Sequence, residues 1–187
     1  GDFADQGEDM KKVVYSYAIN ETANLIGFPS SRTLYDQSNK KISKEEWYYD
    51  GSVTLGAVTK GKMTEQRVWN SNDDTYATMK YRYNTHGNIE SATDSNGNTT
   101  TSTYDSIHFH FPVKMTREGQ NRDLSTTFDY DYGLGLLTKK TEANGFKTEY
   151  RYDDFGRLKE KYISNNTNID DLKRVESYEY HDTESPT

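Results

Sequence analysis

A short pattern recurs along this chain: a tyrosine, an aspartate or asparagine, a gap with a glycine, and a return to apolar residues. The most complete copy is Tyr152-Asp153-Asp154-Phe155-Gly156-Arg157-Leu158. The other tyrosines that begin a related segment are Tyr35, Tyr49, Tyr83, Tyr104, Tyr130 and Tyr180. Repeats spaced by about 20 to 50 residues usually mean one supersecondary unit copied and stacked. The pattern therefore predicts a repeat architecture whose unit is strand, turn, strand.

Each residue of the pattern has a structural task in a hairpin. Asp153 can accept hydrogen bonds from backbone N–H groups two residues later and so close a turn. Gly156 can adopt φ angles that a side chain forbids. Tyr152 and Leu158 can pack across the hairpin while the hydroxyl finds a partner. The predicted motif residues are Tyr35, Asp36, Tyr49, Asp50, Gly51, Tyr83, Gly87, Tyr104, Asp105, Tyr130, Asp131, Tyr152, Asp153, Gly156, Arg157 and Leu158.

Period-two alternation predicts β-strands along most of the chain. The segment from Ala77 to Tyr83 alternates cleanly, and Asn96-Gly97 is a strong hairpin signal. Residues 24–29 are expected to break a strand, and the three glycines within 50–62 predict a loop. Only residues 164–172 and the segment just after them suggest a helical turn, near 170–174. The predicted fold is all-β, with consecutive antiparallel β-hairpins forming a curved, spiralling sheet.

The chain is divided into a repeat segment and two short ends. Residues 1–10 are acidic and aperiodic and are expected to be a loose leader. Residues 11–182 form the predicted repeat segment, degenerate over 11–70 and more regular over 71–182. Residues 183–187 are a tail. The absence of an initiator methionine predicts a piece excised from a larger protein.

Composition limits the partners that this chain can have. A net charge of −7 disfavours nucleic acids and anionic membranes, which do not attract an acidic protein. No run of 18 apolar residues is present, so no membrane span is predicted. Without cysteine there are no disulfides or thiolate metal sites. The mean hydropathy of −1.07 resembles that of disordered chains, but 16 tyrosines can bury a large area while their hydroxyls stay hydrated.

The segment 152–158 resembles the YD repeat of the Rhs family, and 83–89 resembles it with asparagine in place of aspartate. Residues 25–29 and 47–51 are similar to the region ahead of the regular repeats in Tc-toxin B components and SpvB-like proteins. The resemblance extends over 13–182. In this family, YD repeats wind into a hollow shell that encloses a C-terminal toxin or, in teneurins, form part of an adhesion protein.

The resemblance implies a structural segment of a large exported bacterial protein, secreted or at the cell surface, within a shell or scaffold that encloses or presents a toxin. The implied partners are neighbouring repeats of the same protein and an enclosed toxin domain. Exposed sheet edges also predict edge-to-edge self-association. The self-cleavage region of Rhs cores is not carried over, because no proline here follows an aspartate.

A second interpretation is an extracellular adhesion or carbohydrate-binding module that uses exposed aromatic side chains. The candidates for stacking on a ligand such as a cell-surface glycan are Trp47, Tyr49 and Trp69. Alternation along a strand would place Trp47 and Tyr49 on one face.

No catalytic residue, cofactor or metal site is predicted. His108-Phe109-His110 would place two imidazoles on one strand face, but a third ligand is not evident. Adjacent acids such as Asp153 and Asp154 would point to opposite faces of a strand and cannot easily form a catalytic pair. No G-x-S-x-G, H-E-x-x-H or phosphate-binding Gly-Lys loop occurs. The chain is therefore predicted not to be an enzyme.

Overall fold

The computed structural model describes residues 11–165 and 168–181, and this part of the chain is all-β. It contains β1 (Lys12–Asn20), β2 (Leu25–Tyr35), β3 (Lys41–Tyr49), β4 (Met63–Asn70), β5 (Thr75–Tyr83), β6 (Ile89–Thr93), β7 (Thr99–Tyr104), β8 (Pro112–Arg117), β9 (Leu124–Asp131), β10 (Leu136–Thr141), β11 (Lys147–Tyr152), β12 (Leu158–Ser164) and β13 (Leu172–Ser177). Within each of the two units described below, sheet order follows chain order. The predicted fold of consecutive antiparallel strands is confirmed, while the curvature of the sheet stays a prediction.

The chain divides into two compact units, Gly1–Thr99 and Thr100–Thr187. In the first unit, each strand from β1 to β6 pairs antiparallel with the next. In the second unit, the same holds from β7 to β13. The predicted leader, 1–10, and tail, 183–187, lie outside the described residues. No helix within the described part is long and apolar enough to cross a lipid bilayer.

Within residues 11–165 and 168–181, five strands end at a tyrosine that follows a shift in strand register. In each case the extra residue lies near the start of the following strand, and a β-bulge of this kind bends that strand. The turn then begins at once, because the strand stops at the same tyrosine. The tyrosines concerned are Tyr35, Tyr49, Tyr83, Tyr104 and Tyr152.

The core of the first unit lies beneath a long loop. Residues 50–62, predicted to be a loop from their glycines, contain no strand and carry Val58 onto the sheet. Val58 packs with Ala18 of β1 and Tyr49 of β3, and all three are at most 6% exposed. The partly buried side chains around them are Leu25, Phe28, Trp47 and Met63. A single inserted loop therefore provides the cover that a one-layer sheet lacks on this face.

Two local predictions are wrong. Residues 24–29 do not break a strand, because the turn is completed at Asn24, whose φ is 54°, and β2 begins at Leu25. Pro29 is tolerated within β2 because its register with Tyr17 follows a bulge. No helical turn forms over 170–174, since Leu172 opens β13 by pairing with Ser164. In both places, pairing with a neighbouring strand outweighs local propensity.

Candidate functional site

One five-residue turn recurs with the same backbone hydrogen bonds. The first residue donates its N–H to the carbonyl of the fifth, and the fourth donates to the carbonyl of the first; in the last copy both N···O distances are 2.9 Å. The copies span 36–40, 84–88, 94–98, 142–146 and 153–157. The fourth residue always has a positive φ, and it is Asn39, Gly87, Gly97, Gly145 or Gly156. The turn therefore requires a residue that tolerates the left-handed region.

The side chain that opens the turn adds further hydrogen bonds. Asp153 Oδ1 accepts the N–H groups of Phe155 and Arg157 at 3.0 and 2.9 Å, and Asp153 Oδ2 accepts the Arg157 Nε–H at 2.8 Å. Asn84 closes its own turn with the same two N–H bonds. Burial acts in the opposite direction, but the hydrogen bonds from Arg157 hold the pKa of Asp153 below its usual value. Arg157 also stacks on the ring of Tyr180, 4.1 Å from its centroid.

We expect Gly156→Ala to destabilise the protein by about 1–2 kcal/mol, the cost of holding an L-residue at positive φ. The φ of Gly156 is 77°, and an added Cβ would meet Leu136 at 3.4 Å, which is ordinary contact. The expected loss is therefore conformational and not steric. Gly156→Asn is the matched control, because Asn39 stands at the same turn position with a φ of 61°. Urea unfolding followed by far-ultraviolet circular dichroism should give a clearly smaller loss for asparagine; equal losses would contradict this account.

Two aspartates close longer loops in the same way. Asp50 accepts the N–H groups of residues 59, 60, 61 and 62 at 2.7 to 3.1 Å. Asp105 accepts those of residues 107, 108, 110 and 111. Burial opposes ionisation at both, but these four bonds lower the pKa of Asp50 to about 2 and hold the pKa of Asp105 far below its usual value. The aspartate position thus accommodates loops of very different length.

The loop held by Asp105 contains the histidine pair. His108 and His110 do not lie on one strand face, since residues 105–111 leave the strand and Phe109 has a φ of 59°. The His108 ring packs against Tyr132, with centroids 5.4 Å apart. Among the described residues, no group of three or more His, Cys, Asp or Glu side chains is arranged to hold a metal ion.

A ladder of tyrosine hydroxyls crosses the first unit. The Tyr49 hydroxyl donates to the Pro29 carbonyl and the Tyr83 hydroxyl to the Met63 carbonyl, each at 2.7 Å. Pro29 is the strand partner of Tyr17, and Met63 is the strand partner of Tyr49. Each acceptor carbonyl therefore lies beside the preceding tyrosine, and the ladder passes from one hairpin to the next.

The second unit carries the same ladder. Its donors and acceptors are Tyr130 to Pro112 at 3.2 Å, Tyr152 to Leu137 at 2.8 Å and Tyr180 to Leu158 at 2.8 Å. Tyr130 is the strand partner of Leu137, and Tyr152 that of Leu158. Burial raises the pKa of Tyr49, Tyr83, Tyr130 and Tyr152, so these hydroxyls keep their protons and remain donors.

Tyr35 and Asp131 differ from the other predicted motif positions. Tyr35 ends β2, which runs antiparallel to β3, so it lies at the opposite end of the strands from Tyr49 and outside the ladder. Asp36 still opens a standard turn there and accepts the Lys40 N–H. Asp131 closes a variant turn in which Gly135, the fifth residue, donates to its carbonyl at 2.8 Å. Motif residues therefore occur at both ends of the strands, while the ladder follows only one.

Residues 130–168 match the family model described as RHS Repeat. They include the Tyr130 and Tyr152 rungs of the ladder and the complete turn at 153–157. This stretch is similar to an RHS repeat. The predicted resemblance to the Rhs family is thereby confirmed.

Solved structures of Tc toxins have a similar backbone fold. The chain aligns with a TcdB2-TccC3-Cdc42 crystal structure at a TM-score of 0.56 and 15% sequence identity. It aligns with a Photorhabdus luminescens Tc holotoxin pore at a TM-score of 0.56 and 14% identity. Both alignments cover 91% of this chain and 10% of the other, so this chain spans about a tenth of theirs. At such low identity the likeness shows the fold. No curated protein sequence gives a match.

The aromatic side chains predicted to stack on a ligand do not form one surface. Tyr49 is 6% exposed and Trp47 packs against its cluster beneath the 50–62 loop. Trp69 lies on the other face of the sheet. It shares a strand face with Arg67, which is the strand partner of Glu46, and Trp47 points away from that face because it follows Glu46 directly. Lys41 Nζ lies 3.6 Å from the Trp69 ring centroid. Protein groups thus already contact these rings, and ligand stacking stays a prediction.

Sequence reasoning missed a second recurring arrangement, on the face opposite the ladder. Glu46 is the strand partner of Arg67, and Tyr48, two residues after Glu46, donates its hydroxyl to Glu46 Oε2 at 2.9 Å. The Arg67 guanidinium lies over the Tyr48 ring, 4.4 Å from its centroid. Burial acts against ionisation of Glu46, but hydrogen bonds from Lys44 and Tyr48 lower its pKa.

The second unit contains the same arrangement around Glu160. Glu160 is the strand partner of Arg151, and the Tyr162 hydroxyl donates to Glu160 Oε2 at 3.0 Å. The Arg151 guanidinium lies 4.3 Å from the Tyr162 ring centroid, and Arg174 adds a bond to Glu160 at 2.8 Å. The signal available in the sequence was Glu-x-Tyr, whose two-residue spacing places both side chains on one strand face.

Proposed function

We propose that this chain is a structural segment of a large exported protein of Tc-toxin type, where its repeats form part of the wall of a shell that encloses or presents a toxin. The observation that supports this most strongly is the fold shared with Tc toxin structures over 91% of the chain. The RHS repeat at residues 130–168 supports the same proposal from sequence. A segment that spans a tenth of such chains fits the role of one part of a wall.

The geometry suits a wall because, within each unit, successive hairpins are joined by the same kind of hydrogen bond. A single hairpin is only marginally stable in water, so repeats of this kind depend on their neighbours. Tyrosine hydroxyls supply these bonds between strands, and the side chains of Asp36, Asn84, Asp94 and Asp153 close turns. We infer that the predicted motif residues, from Tyr35 to Leu158, act as this repeated frame.

A structural role also explains why the polar groups of the motif have protein partners. The carboxylates of Asp50 and Asp105 each accept four backbone N–H groups, and the Tyr49 and Tyr152 hydroxyls donate to carbonyls. Proton transfer or nucleophilic attack needs groups that can reach a substrate. We infer that these residues support the fold without catalysis and that the segment needs no cofactor.

The proposed partners are neighbouring repeats of the same protein and an enclosed toxin domain, and the proposed location is secreted. In the first unit, the side of β1 away from β2 has no described strand partner, and the strand exposes Tyr15, Tyr17 and Ile19 by 50 to 55%. Such an edge is a template for a further strand. In the isolated chain the same edge should pair between copies. Sedimentation should show association that rises with concentration; a monomer at every concentration would contradict this.

The adhesion or carbohydrate-binding interpretation has less support. It requires an exposed row of aromatic rings, whereas Trp47 and Trp69 lie on opposite faces of the sheet and Tyr49 is buried. A glycan-array measurement with the intact chain would support the carbohydrate-binding interpretation if a defined sugar bound and Trp69→Ala abolished that binding.

Electron cryo-microscopy of the full-length protein that contains this segment tests the shell proposal. We expect a hollow particle in which the strands of this chain form part of the wall, with one sheet face toward the interior. A particle in which the segment projects into solvent as a separate arm would overturn the proposal.

A further inference from the structure

A groove in the first unit lies between the 50–62 loop and three neighbouring strands, β4, β5 and β6. Its volume is about 280 Å³, slightly below the range of about 300–1,000 Å³ that is usual for small-molecule pockets. It therefore has room for a few side chains of a partner rather than for a large cofactor. The lining residues that matter here are Val53, Glu65, Arg67, Lys80, Arg82 and Thr93.

The groove carries two positive charges without an ion pair. Lys80 and Arg82 are exposed. They lie two residues apart on β5, on the sheet face that also carries Arg67. Lys80 is the strand partner of Glu65, but the Glu65 carboxylate binds Arg67 Nε. Within residues 11–165 and 168–181, neither the Lys80 nor the Arg82 side chain forms an ion pair or hydrogen bond. In a chain of net charge −7, this is a local positive surface.

We propose that this groove binds an extended acidic peptide segment of a partner protein, with carboxylates on Lys80 and Arg82. Two residues along a strand span about 7 Å, so the two cations match carboxylates at alternate positions of an extended peptide. The exposed Val53 side chain, 88% accessible, borders the groove and offers an apolar contact to the intervening residue. Charge-assisted hydrogen bonds from arginine and lysine to carboxylates supply the specificity.

A peptide fits this site better than a nucleic acid. A nucleic acid is a long polyanion whose binding depends on many cations, and the protein as a whole is acidic. Two cations in a short groove neutralise two carboxylates and leave the rest of the surface able to repel a longer polyanion. This inference concerns a binding site on one face and holds whether or not the segment is part of a shell wall.

Calorimetric titration of the intact chain tests the proposal with a seven-residue peptide of alternating aspartate and serine. Lys80→Gln/Arg82→Gln should weaken binding about tenfold or more, a loss of at least 1.4 kcal/mol. The matched control is Lys11→Gln/Lys60→Gln, which removes the same charge from two exposed residues outside the groove. The asparagine counterpart of the peptide tests the charge requirement without any change in the protein.

Binding of the aspartate peptide, lost with the asparagine peptide and in the groove variant but kept in the control variant, would support the site. Equal weakening in both variants would show general electrostatic attraction and overturn it. No binding of the aspartate peptide would overturn it too. Tighter binding of inorganic phosphate or of a single-stranded oligonucleotide than of the peptide would replace the proposed ligand and contradict the proposal.

Discussion

Tyr49→Ala is expected to lower the free energy of unfolding of the first unit by about 3–5 kcal/mol, the range for deleting a buried aromatic side chain. Tyr49 is 6% exposed, lies at the centre of the cluster with Ala18 and Val58, and meets the Phe28 ring edge-on at a centroid distance of 5.5 Å. Its loss would also remove the hydrogen bond from the Tyr49 hydroxyl to the Pro29 carbonyl. Urea unfolding followed by tryptophan fluorescence measures this unit alone, because both tryptophans lie within it.

Two further variants separate packing from hydrogen bonding at this position. Tyr49→Phe should cost only about 1 kcal/mol, the usual net worth of one hydrogen bond, because it removes the bond to Pro29 and keeps the ring. Tyr15→Ala is the matched control, since Tyr15 is 50% exposed on β1 and should cost much less. A loss at Tyr15 as large as that at Tyr49 would show that the loop-covered cluster is not the core of the unit.

Asp50→Ala is expected to destabilise the first unit by about 2–4 kcal/mol at neutral pH, because four backbone N–H groups lose a charged acceptor and only partly recover by binding water. The same carboxylate holds Thr59 to Lys62 in place, and this segment follows Val58, which covers the core. Glu90→Ala is the control, since it removes an exposed acid from β6 of the same unit. Tryptophan fluorescence during urea unfolding measures both variants, and equal losses would contradict the role given to the Asp50 bonds.

The Asp50 effect should depend on pH with a defined sign. The pKa of Asp50 is lowered in the folded chain from 3.8 to about 2, so its contribution is fully present above pH 4 and falls as the pH drops through 2. The difference in stability between the unsubstituted protein and Asp50→Ala should therefore shrink from pH 4 to pH 2. A difference that stays constant over this interval would mean that the ionised carboxylate is not what holds the loop.

The turns and most of the strands were predictable from the sequence because their causes are local. In the turn at 153–157, every hydrogen bond that closes it joins residues within five positions, and Gly156 supplies the one unusual φ angle. Alternation likewise places Tyr81 and Tyr83 on one face without reference to the rest of the chain. Where local signals opposed the fold, as at Gly27 and Pro29, pairing with a neighbouring strand prevailed.

Only the tertiary structure decided which side chains meet across hairpins. The ladder bonds join Tyr49 to Pro29 and Tyr83 to Met63, each pair 20 residues apart, and bulges set their register. The Glu160 cluster likewise joins side chains that are distant in sequence, because Arg151 lies on β11, Glu160 on β12 and Arg174 on β13. Loop lengths between strands vary, so sequence spacing does not reveal such partners. The sequence by itself determined turns and strand faces, because these depend on a few adjacent residues; the ladder, the covered core and the cationic groove depend on strand register, which the whole sheet sets.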